Sequence, residues 1–222
     1  MRAVRTSALF PEAAERFLTY GFVRLDTLTL LRLDLDPDTT TPATPRWSRL
    51  DPDRSTARPG HDRRTGTTPG VGIRPLRGRH ETGAAEVDRL AFGPLWGYDR
   101  RTVTEVRRAT PAHWARRIGP RDRLEGYAIS GAGGTTGYLQ RLAVRPDRHR
   151  CGLASALVDD SLRWMTTRGL GVALVNTGSG NRAALALYQR FGFRALPERL
   201  TVAELSLTAA TNASARDGAS GG

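Results

Sequence analysis

At Val144 the hydrophobic pattern of this chain changes period, and that change limits the folds open to it. Before it, apolar runs at residues 114–118, 124–129 and 138–144 are separated by Gly119-Pro120-Arg121-Asp122 and by Gly131-Ala132-Gly133-Gly134. Such clusters form turns, so this stretch predicts three strands joined by hairpins. After it, Ala154, Val158, Leu162 and Met165 recur at helical spacing up to Gly169, which predicts an amphipathic helix. Residues 171–175 then read as an apolar strand. Ala184, Leu187 and Phe191 form a second helical stripe ended by Gly192, and Leu200, Val202, Leu205 and Leu207 close the pattern as a bulged strand. Upstream, GIRPL from Gly72 predicts a short strand, residues 81–92 a helix, and residues 102–108 a second helix stopped before Pro111. The order from residue 72 is β-α-α-β-β-β-α-β-α-β-β. A mixed α/β sheet with helices on both faces follows.

Residues 36–71 carry six prolines and little that is apolar beyond Trp47, Leu50 and Val71. A segment of that composition cannot bury enough surface to offset its ordering entropy, so it reads as a disordered linker. Residues 208–222 (TAATNASARDGASGG) read as a disordered tail for the same reason. Two parts are left: a front piece, 1–35, and a domain, 72–207.

The charge falls unevenly on these parts. All 34 basic residues are arginine, set against 22 acids, for a net charge of +12. Residues 73–207 hold 22 of those arginines and 12 acids, a net of +10. That excess points to an anionic ligand on the domain. Much of it is also what a lysine-free, Arg-, Ala-, Gly- and Pro-rich composition leaves on an ordinary surface. A nucleic-acid partner is disfavoured, since no aromatic-interleaved basic platform is present. No apolar run reaches the roughly 18–20 residues of a membrane helix, so no membrane partner is expected. Glu12 and Glu15 interrupt any signal-peptide core after Arg2 and Arg5, and a cytoplasmic location is expected. One cysteine excludes a disulfide framework and a cysteine-rich zinc site, and no metal is assigned.

The segment from Leu142 to Ser155 carries the chemistry. A strand runs into Arg145-Pro146-Asp147-Arg148-His149-Arg150-Cys151, after which Gly152 and Ala154 open a helix. Small residues let a ligand approach the backbone, and first-turn N–H groups of a helix have no intrahelical acceptor. Those donors, the helix dipole, Arg148 and Arg150 together suit a pyrophosphate. An ordinary strand-to-helix turn with solvated arginines looks the same in isolation. What separates the two readings is a second segment after the next strand, Asn181-Arg182-Ala183-Ala184-Leu185-Ala186-Leu187-Tyr188-Gln189-Arg190-Phe191-Gly192-Phe193.

The pairing of a Q/R-x-x-G-x-G/A loop with an N-x-x-A-x-x-x-Y-x-x-x-G-F helix resembles the GNAT superfamily of acetyl-CoA-dependent N-acetyltransferases. The resemblance covers residues 72–207 and implies the GNAT acyl-CoA N-acyltransferase fold. The ribosomal-protein-alanine acetyltransferase type is its nearest flavour. The resemblance implies acetyl-CoA as acetyl donor and an amine acceptor, either a small molecule or a protein N-terminus, attacking the thioester directly. It implies that the backbone of Leu142, Ala143 and Val144 pairs with pantetheine where strands 138–144 and 171–176 splay. It assigns the CoA pyrophosphate to the amides of Arg150, Cys151, Gly152, Leu153, Ala154 and Ser155, a cofactor contact to Asn181, and protonation of the departing thiolate to Tyr188. The last role is chemically sound: a tyrosine of pKa about 10 is neutral at pH 7 and can protonate a thiolate whose conjugate acid lies near 8.5.

Three positions depart from the pattern. His149 replaces Gln or Arg, Ala154 replaces the commoner glycine, and Asn176 stands where the ribosomal-alanine type carries a glutamate base. Glu125 and His113 are the alternative bases, each with a plain surface role as the competing reading. A degenerate relative that binds CoA as a sensor or interaction module, without turnover, is the alternative function. Cys151, set among Arg148, His149 and Arg150, is expected to be oxidisable but is given no role. Trp96 and Tyr98 are expected along the acceptor pocket, or as packing residues.

Residues 11–22 line up with the 182–193 helix on a shared Gly-Phe pair. Phe17 then falls where Tyr188 stands, and Leu28, Leu30, Leu33 and Leu35 follow the spacing of Leu200, Val202, Leu205 and Leu207. This predicts a truncated β-α-β-β remnant of a second acetyltransferase-like module, with no pyrophosphate loop and no acid hydroxyl. A piece so small has no core of its own and must dock, on the main domain or on a second copy as a homodimer. A chance amphipathic hairpin is the competing reading.

Overall fold

The computed structural model describes residues 2–35 and 72–207. The expected linker, 36–71, and tail, 208–222, lie outside the described residues. The chain divides into two compact units, one from Met1–Thr29 with Pro197–Gly222, the other Leu30–Leu196.

The larger unit holds β3 (Arg74–Pro75), α2 (Glu81–Trp96), α3 (Arg100–Arg108), β4 (Ala112–Ile118), β5 (Gly126–Gly133), β6 (Thr136–Val144), α4 (Leu153–Thr167), β7 (Val172–Gly178) and α5 (Arg182–Arg190). It also takes the end of β2 (Val23–Asp34) and the start of β8 (Arg194–Leu207). Its strands lie in the order β2-β7-β6-β5-β4-β3. Pairing from β3 to β6 is antiparallel, and β6 pairs with β7 in parallel. The mixed α/β sheet expected from the sequence is what forms.

Alternating residues of the central strands feed two cores. Ala128, Leu139 and Val144 pack with Leu153, Leu157, Val158, Leu162 and Met165 of α4. Tyr127, Ile129 and Ala143 pack with Ala84 and Val87 of α2 and Val103 of α3. Period-two strands therefore meet a helical stripe on each face. Leu157 and Leu162 are almost fully buried, a gain of about 1.5–3 kcal/mol each by area.

Helix α2 runs past the expected end at 92 and bends at Gly93, whose φ of 73° breaks the helical path before Pro94. The second expected hairpin turn is shorter than the glycine cluster suggests. Strand β5 continues to Gly133, which pairs with Thr136. Gly131 is there for close packing, since a Cβ on it would run into the Thr110 hydroxyl.

In the smaller unit, β1 (Arg2–Arg5) pairs antiparallel with β8, Val4 opposite Leu205. Helix α1 (Pro11–Thr19) starts on Pro11 and is followed by β2, with Phe17 and Phe22 edge to face at 5.2 Å. The two strands expected at the end of the front piece are one, β2, because no glycine or proline interrupts residues 23–34. The close of the chain is likewise one long strand, β8, which runs through Pro197.

Candidate active site

The parallel pairing of β6 with β7 stops early. It runs from Thr136 opposite Val172 to Leu139 opposite Val175 and goes no further. Beyond it the strands fork, so the edge of β6 from Gln140 to Val144 that faces β7 has no ladder partner, and Leu142, Ala143 and Val144 lie on that edge. Asn176, the first β7 residue past the last pair, is exposed at the fork.

A β-bulge marks the same point on the other side of β6. Ile129 pairs with Arg141 and Ser130 with Leu139, so Gln140 is the extra residue. Bulges of this kind re-aim the side chains and backbone of the strand that carries them. Nothing in the hydrophobic alternation of residues 138–144 signals it, and the sequence reading missed it. Ser130 Oγ and Gln140 Oε1, both buried here, lack a hydrogen-bond partner among the described residues.

Arg141, next to the bulge, is the hub of a buried network that the sequence did not reveal. Its guanidinium donates to Asp88 Oδ2 at 2.8 Å, to Asp88 Oδ1 at 2.6 Å and to the Trp96 carbonyl at 2.7 Å. The Tyr127 hydroxyl donates to Asp88 Oδ2 at 2.5 Å, and the Tyr98 amide to Oδ1 at 2.5 Å. The Phe92 and Tyr98 rings each lie with their centroids 3.7 Å from the Arg141 guanidinium carbon. Burial alone would lower the Arg141 pKa, but the hydrogen bonds and charge of Asp88 outweigh it and raise it. Burial and the Asp88 charge push the Tyr127 phenol upward. Tyr98 is thus a packing partner of Arg141, and Trp96 lends its carbonyl to the same hub.

From Val144 the chain enters a short 3-10 turn, Pro146–Arg148, and then the loop to α4. Arg150 has φ of 60° and Gly152 φ of 75°, both left-handed. Gly152 is the N-cap of α4, and the first turn-closing bond of that helix runs from the Ala156 amide to its carbonyl. The amides of Arg150, Cys151, Gly152, Leu153, Ala154 and Ser155 therefore have no acceptor among the described residues. Six successive donors at the N-terminus of a 15-residue helix make an anion cradle. A Cβ on Gly152 would meet nothing within 4 Å, so the space before the loop is open.

The loop arginines divide. Arg148 is paired with Glu125, and Arg145 with Asp147 and Glu86. Arg150 is exposed and has no carboxylate partner among the described residues. The ion pair corrects two expectations from the sequence, which set Arg148 on the pyrophosphate and offered Glu125 as a base: each is held by the other, so Arg148 is not a free phosphate donor and Glu125 is not a free base. His149 Nε2 lies 3.1 Å from the Val144 carbonyl, and Cys151 is exposed. His113 is exposed on β4, opposite Gly131.

Helix α5 places the remaining two residues. Asn181 is its N-cap, and its side-chain oxygen accepts from the Ala184 amide at 3.1 Å, satisfying one of the orphan donors of the first turn. Tyr188 sits on the inner face with 5% of its surface exposed, edge to face with Phe193 at 5.7 Å. Gly192, at φ of 89°, turns the chain so that the Phe193 amide reaches the Tyr188 carbonyl at 3.1 Å. Burial pushes the Tyr188 phenol above its ordinary value, with the nearby Arg141 charge acting against it.

Among the described residues no helix is long and apolar enough to cross a membrane. Residues 89–193 match the acetyltransferase (GNAT) family. A stretch of 57 residues is 39% identical to the mycothiol acetyltransferase of Streptomyces coelicolor, covering 26% of this chain and 18% of that enzyme. The match thus spans less than a fifth of the relative's length. A GCN5-related N-acetyltransferase from Sphaerobacter thermophilus superposes with a TM-score of 0.57 at 16% identity, over 91% of this chain and 59% of its own. The ribosomal-protein-S18-alanine N-acetyltransferase of Escherichia coli gives a TM-score of 0.52 at 19% identity, over 64% and 97%. These structural likenesses concern the fold. The domain that carries the forked strands, the loop of open amides and the Tyr188 helix thus matches the acetyltransferase (GNAT) family over residues 89–193, just under half of the chain, and shares the fold of GNAT structures.

Proposed function

We propose that the protein transfers the acetyl group of acetyl-CoA to an amine by direct attack. The observation that carries this is the run of six unsatisfied amides, Arg150 to Ser155, leading out of the strand whose open edge borders the fork. A diphosphate accepts from several such amides at once, and the dipole of α4 favours its charge. Arg150 adds a cation from the loop itself.

Acetyl-CoA, when bound, supplies an activated thioester. The residues of this chain position it and manage charge and protons. The amides of Arg150, Cys151, Gly152, Leu153, Ala154 and Ser155 hold the diphosphate. The open backbone of Leu142, Ala143 and Val144 hydrogen-bonds the pantetheine amides, as an added strand would. A backbone N–H at the fork meets the carbonyl oxygen as negative charge develops there. Tyr188 keeps a proton at its hydroxyl for the departing thiolate, and its burial favours that protonated form. Asn181 shapes the start of α5 through its cap and presents its remaining amide group to the cofactor.

The acceptor is a primary amine of a small molecule or of a protein N-terminus. With Asn176 at the fork and Glu125 tied to Arg148, we assign no side-chain base; the amine enters neutral or loses its proton through water. That same pair of observations supports the second reading, a CoA-binding sensor without turnover. A cytoplasmic location belongs to this proposal, because the charged donor does not cross membranes. In the same reading, residues 1–35 are the remnant of a second module, 72–207 the acetyltransferase domain, and docking between copies a route to a homodimer.

The deciding experiment measures CoA binding by calorimetry and thiol release with a panel of amines and peptide N-termini. Binding with turnover on one acceptor class supports transfer. Binding with no turnover on any supports the sensor. No binding of CoA or acetyl-CoA removes both.

A further inference from the structure

The domain carries a second concentration of positive charge that the transfer site does not use. Arg117, on β4, is 4% exposed, and no carboxylate pairs with it among the described residues. Among the described residues, it donates from Nη1 to the Gly119 carbonyl at 2.7 Å, and its buried Nε has no acceptor. Arg74 stands directly opposite on β3. Burial, and then the charges of Arg74, Arg121 and Arg79, push the Arg117 pKa down. None of Arg74, Arg77, Arg79 or Arg121 has an acidic partner among the described residues either.

His80 belongs to the same cluster. It is 4% exposed, and its Nδ1 accepts from the Arg77 amide at 3.0 Å, which leaves the proton on Nε2. That Nε2 is buried and without an acceptor among the described residues. Two buried donors, one a guanidinium, thus lie unpaired among four further arginines. Burying such groups without a partner is costly, and the partner that answers both charge and donors is an anion with several acceptor oxygens.

A cavity of about 650 Å³ opens at this place, with Arg74, Arg117 and Arg121 in its wall beside Gly119 and Leu153. Its only acid, Glu125, is already paired with Arg148. Leu153 belongs to both, so the cavity adjoins the amide cradle, while its arginines lie outside that loop.

We propose that this cluster is a second phosphate site, which binds a phosphate monoester dianion through Arg117, Arg74, Arg121 and Arg79. Guanidinium groups match phosphate oxygens in pairs, and these four arginines with the Nε2–H of His80 supply more donors than one phosphate can use. The site does not depend on the acetyl-transfer reading. Two sources of the phosphate share this chemistry: the ribose 3′-phosphate of a CoA held at the neighbouring cradle, or a separate phosphorylated ligand.

The test titrates the full chain with inorganic phosphate at constant ionic strength, in a Gly152→Glu background that charges the cradle. Binding read as a rise in Tm is expected, with affinity falling about tenfold in Arg121→Gln and further in Arg74→Gln/Arg121→Gln, in line with loss of charge-assisted hydrogen bonds. These arginines are exposed, so the variants keep the fold even where Arg117→Gln fails to. Absence of phosphate binding, or binding unchanged in the double variant, overturns the proposal. With Gly152 restored, CoA and 3′-dephospho-CoA are then compared. Loss of affinity in the double variant for CoA alone identifies the 3′-phosphate as the occupant. Loss for neither, with inorganic phosphate binding abolished, identifies a separate phosphorylated ligand. An unaltered CoA affinity in Gly152→Glu would count against the cradle and leave this site standing.

Discussion

Arg141 grips Asp88 with two hydrogen bonds, Nε to Oδ2 at 2.8 Å and Nη2 to Oδ1 at 2.6 Å, across a strand-to-helix contact closed to solvent on the Asp88 side. Asp88 is fully buried, and Arg141 follows the bulge that lies beside the fork of β6 and β7. The pair fixes the bulged strand against α2. Its charges are satisfied only together, so losing one strands the other.

Asp88→Ala is therefore expected to lower the unfolding free energy by about 3–5 kcal/mol, the range for a buried pair broken on one side. Urea denaturation checks it. An unchanged midpoint would show that Arg141 finds another partner and that the network does not hold the bulge.

Tyr188→Phe removes the hydroxyl and keeps the ring that packs on Phe193. If Tyr188 is the acid, kcat falls by about 10²–10⁴ while the dissociation constant of acetyl-CoA stays the same. Because burial raises the Tyr188 pKa, the hydroxyl stays protonated as pH rises, and turnover should show no alkaline loss from it below about pH 10. An alkaline limb at lower pH that vanishes in Tyr188→Phe would contradict this assignment.

Gly152 separates backbone from charge. At φ of 75° an alanine is strained, at about 1–2 kcal/mol, but its Cβ meets nothing within 4 Å. Gly152→Ala should then cost stability and leave CoA affinity nearly unchanged. Gly152→Glu places a carboxylate before the six amides and should abolish CoA binding. Calorimetry with CoA on both variants decides it; affinity retained in the glutamate variant would fault the cradle.

His80 is held neutral, first by burial and then by Arg117 and its neighbours, so its pKa is lowered in the folded chain. Between that value and the unfolded one, near 6.5, the unfolded chain binds more protons, and stability rises with pH. The contribution is present above about pH 6.5 and is lost as pH falls through the folded value. His80→Gln, which keeps an acceptor for the Arg77 amide, should flatten the fall of Tm from neutral to acid pH. Parallel Tm–pH curves for the two proteins would show that His80 does not titrate in this way.

Much of the site is legible in the order of residues alone. The Gly152 loop and the Asn181–Phe193 helix are local patterns, and local patterns carry their own conformational preference: a left-handed glycine, a helix N-cap, a Gly192 turn. Arg148 and Glu125 are not legible in this way. Each looks available in the sequence, and only the fold reveals that each holds the other. The bulge at Gln140 is hidden for a related reason, since it is a mismatch between two strands and neither strand alone records it.

The sequence by itself determined the element order from residue 72 through α5, the mixed sheet and the resemblance to the GNAT family, because period, turn residues and motif spacing are properties of short stretches of chain. Only the tertiary structure decided where β6 and β7 part, how Asp88, Tyr127 and Arg141 meet, and that Arg74, Arg117 and Arg121 share one cavity whose acid, Glu125, is already paired. Those depend on strand register and on helices crossing a sheet, where residues as distant in sequence as Asp88 and Arg141, 53 positions apart, come into hydrogen-bond contact. The +10 of residues 73–207 was legible as a number. Its division between paired loop arginines and an uncompensated cluster was a matter of packing.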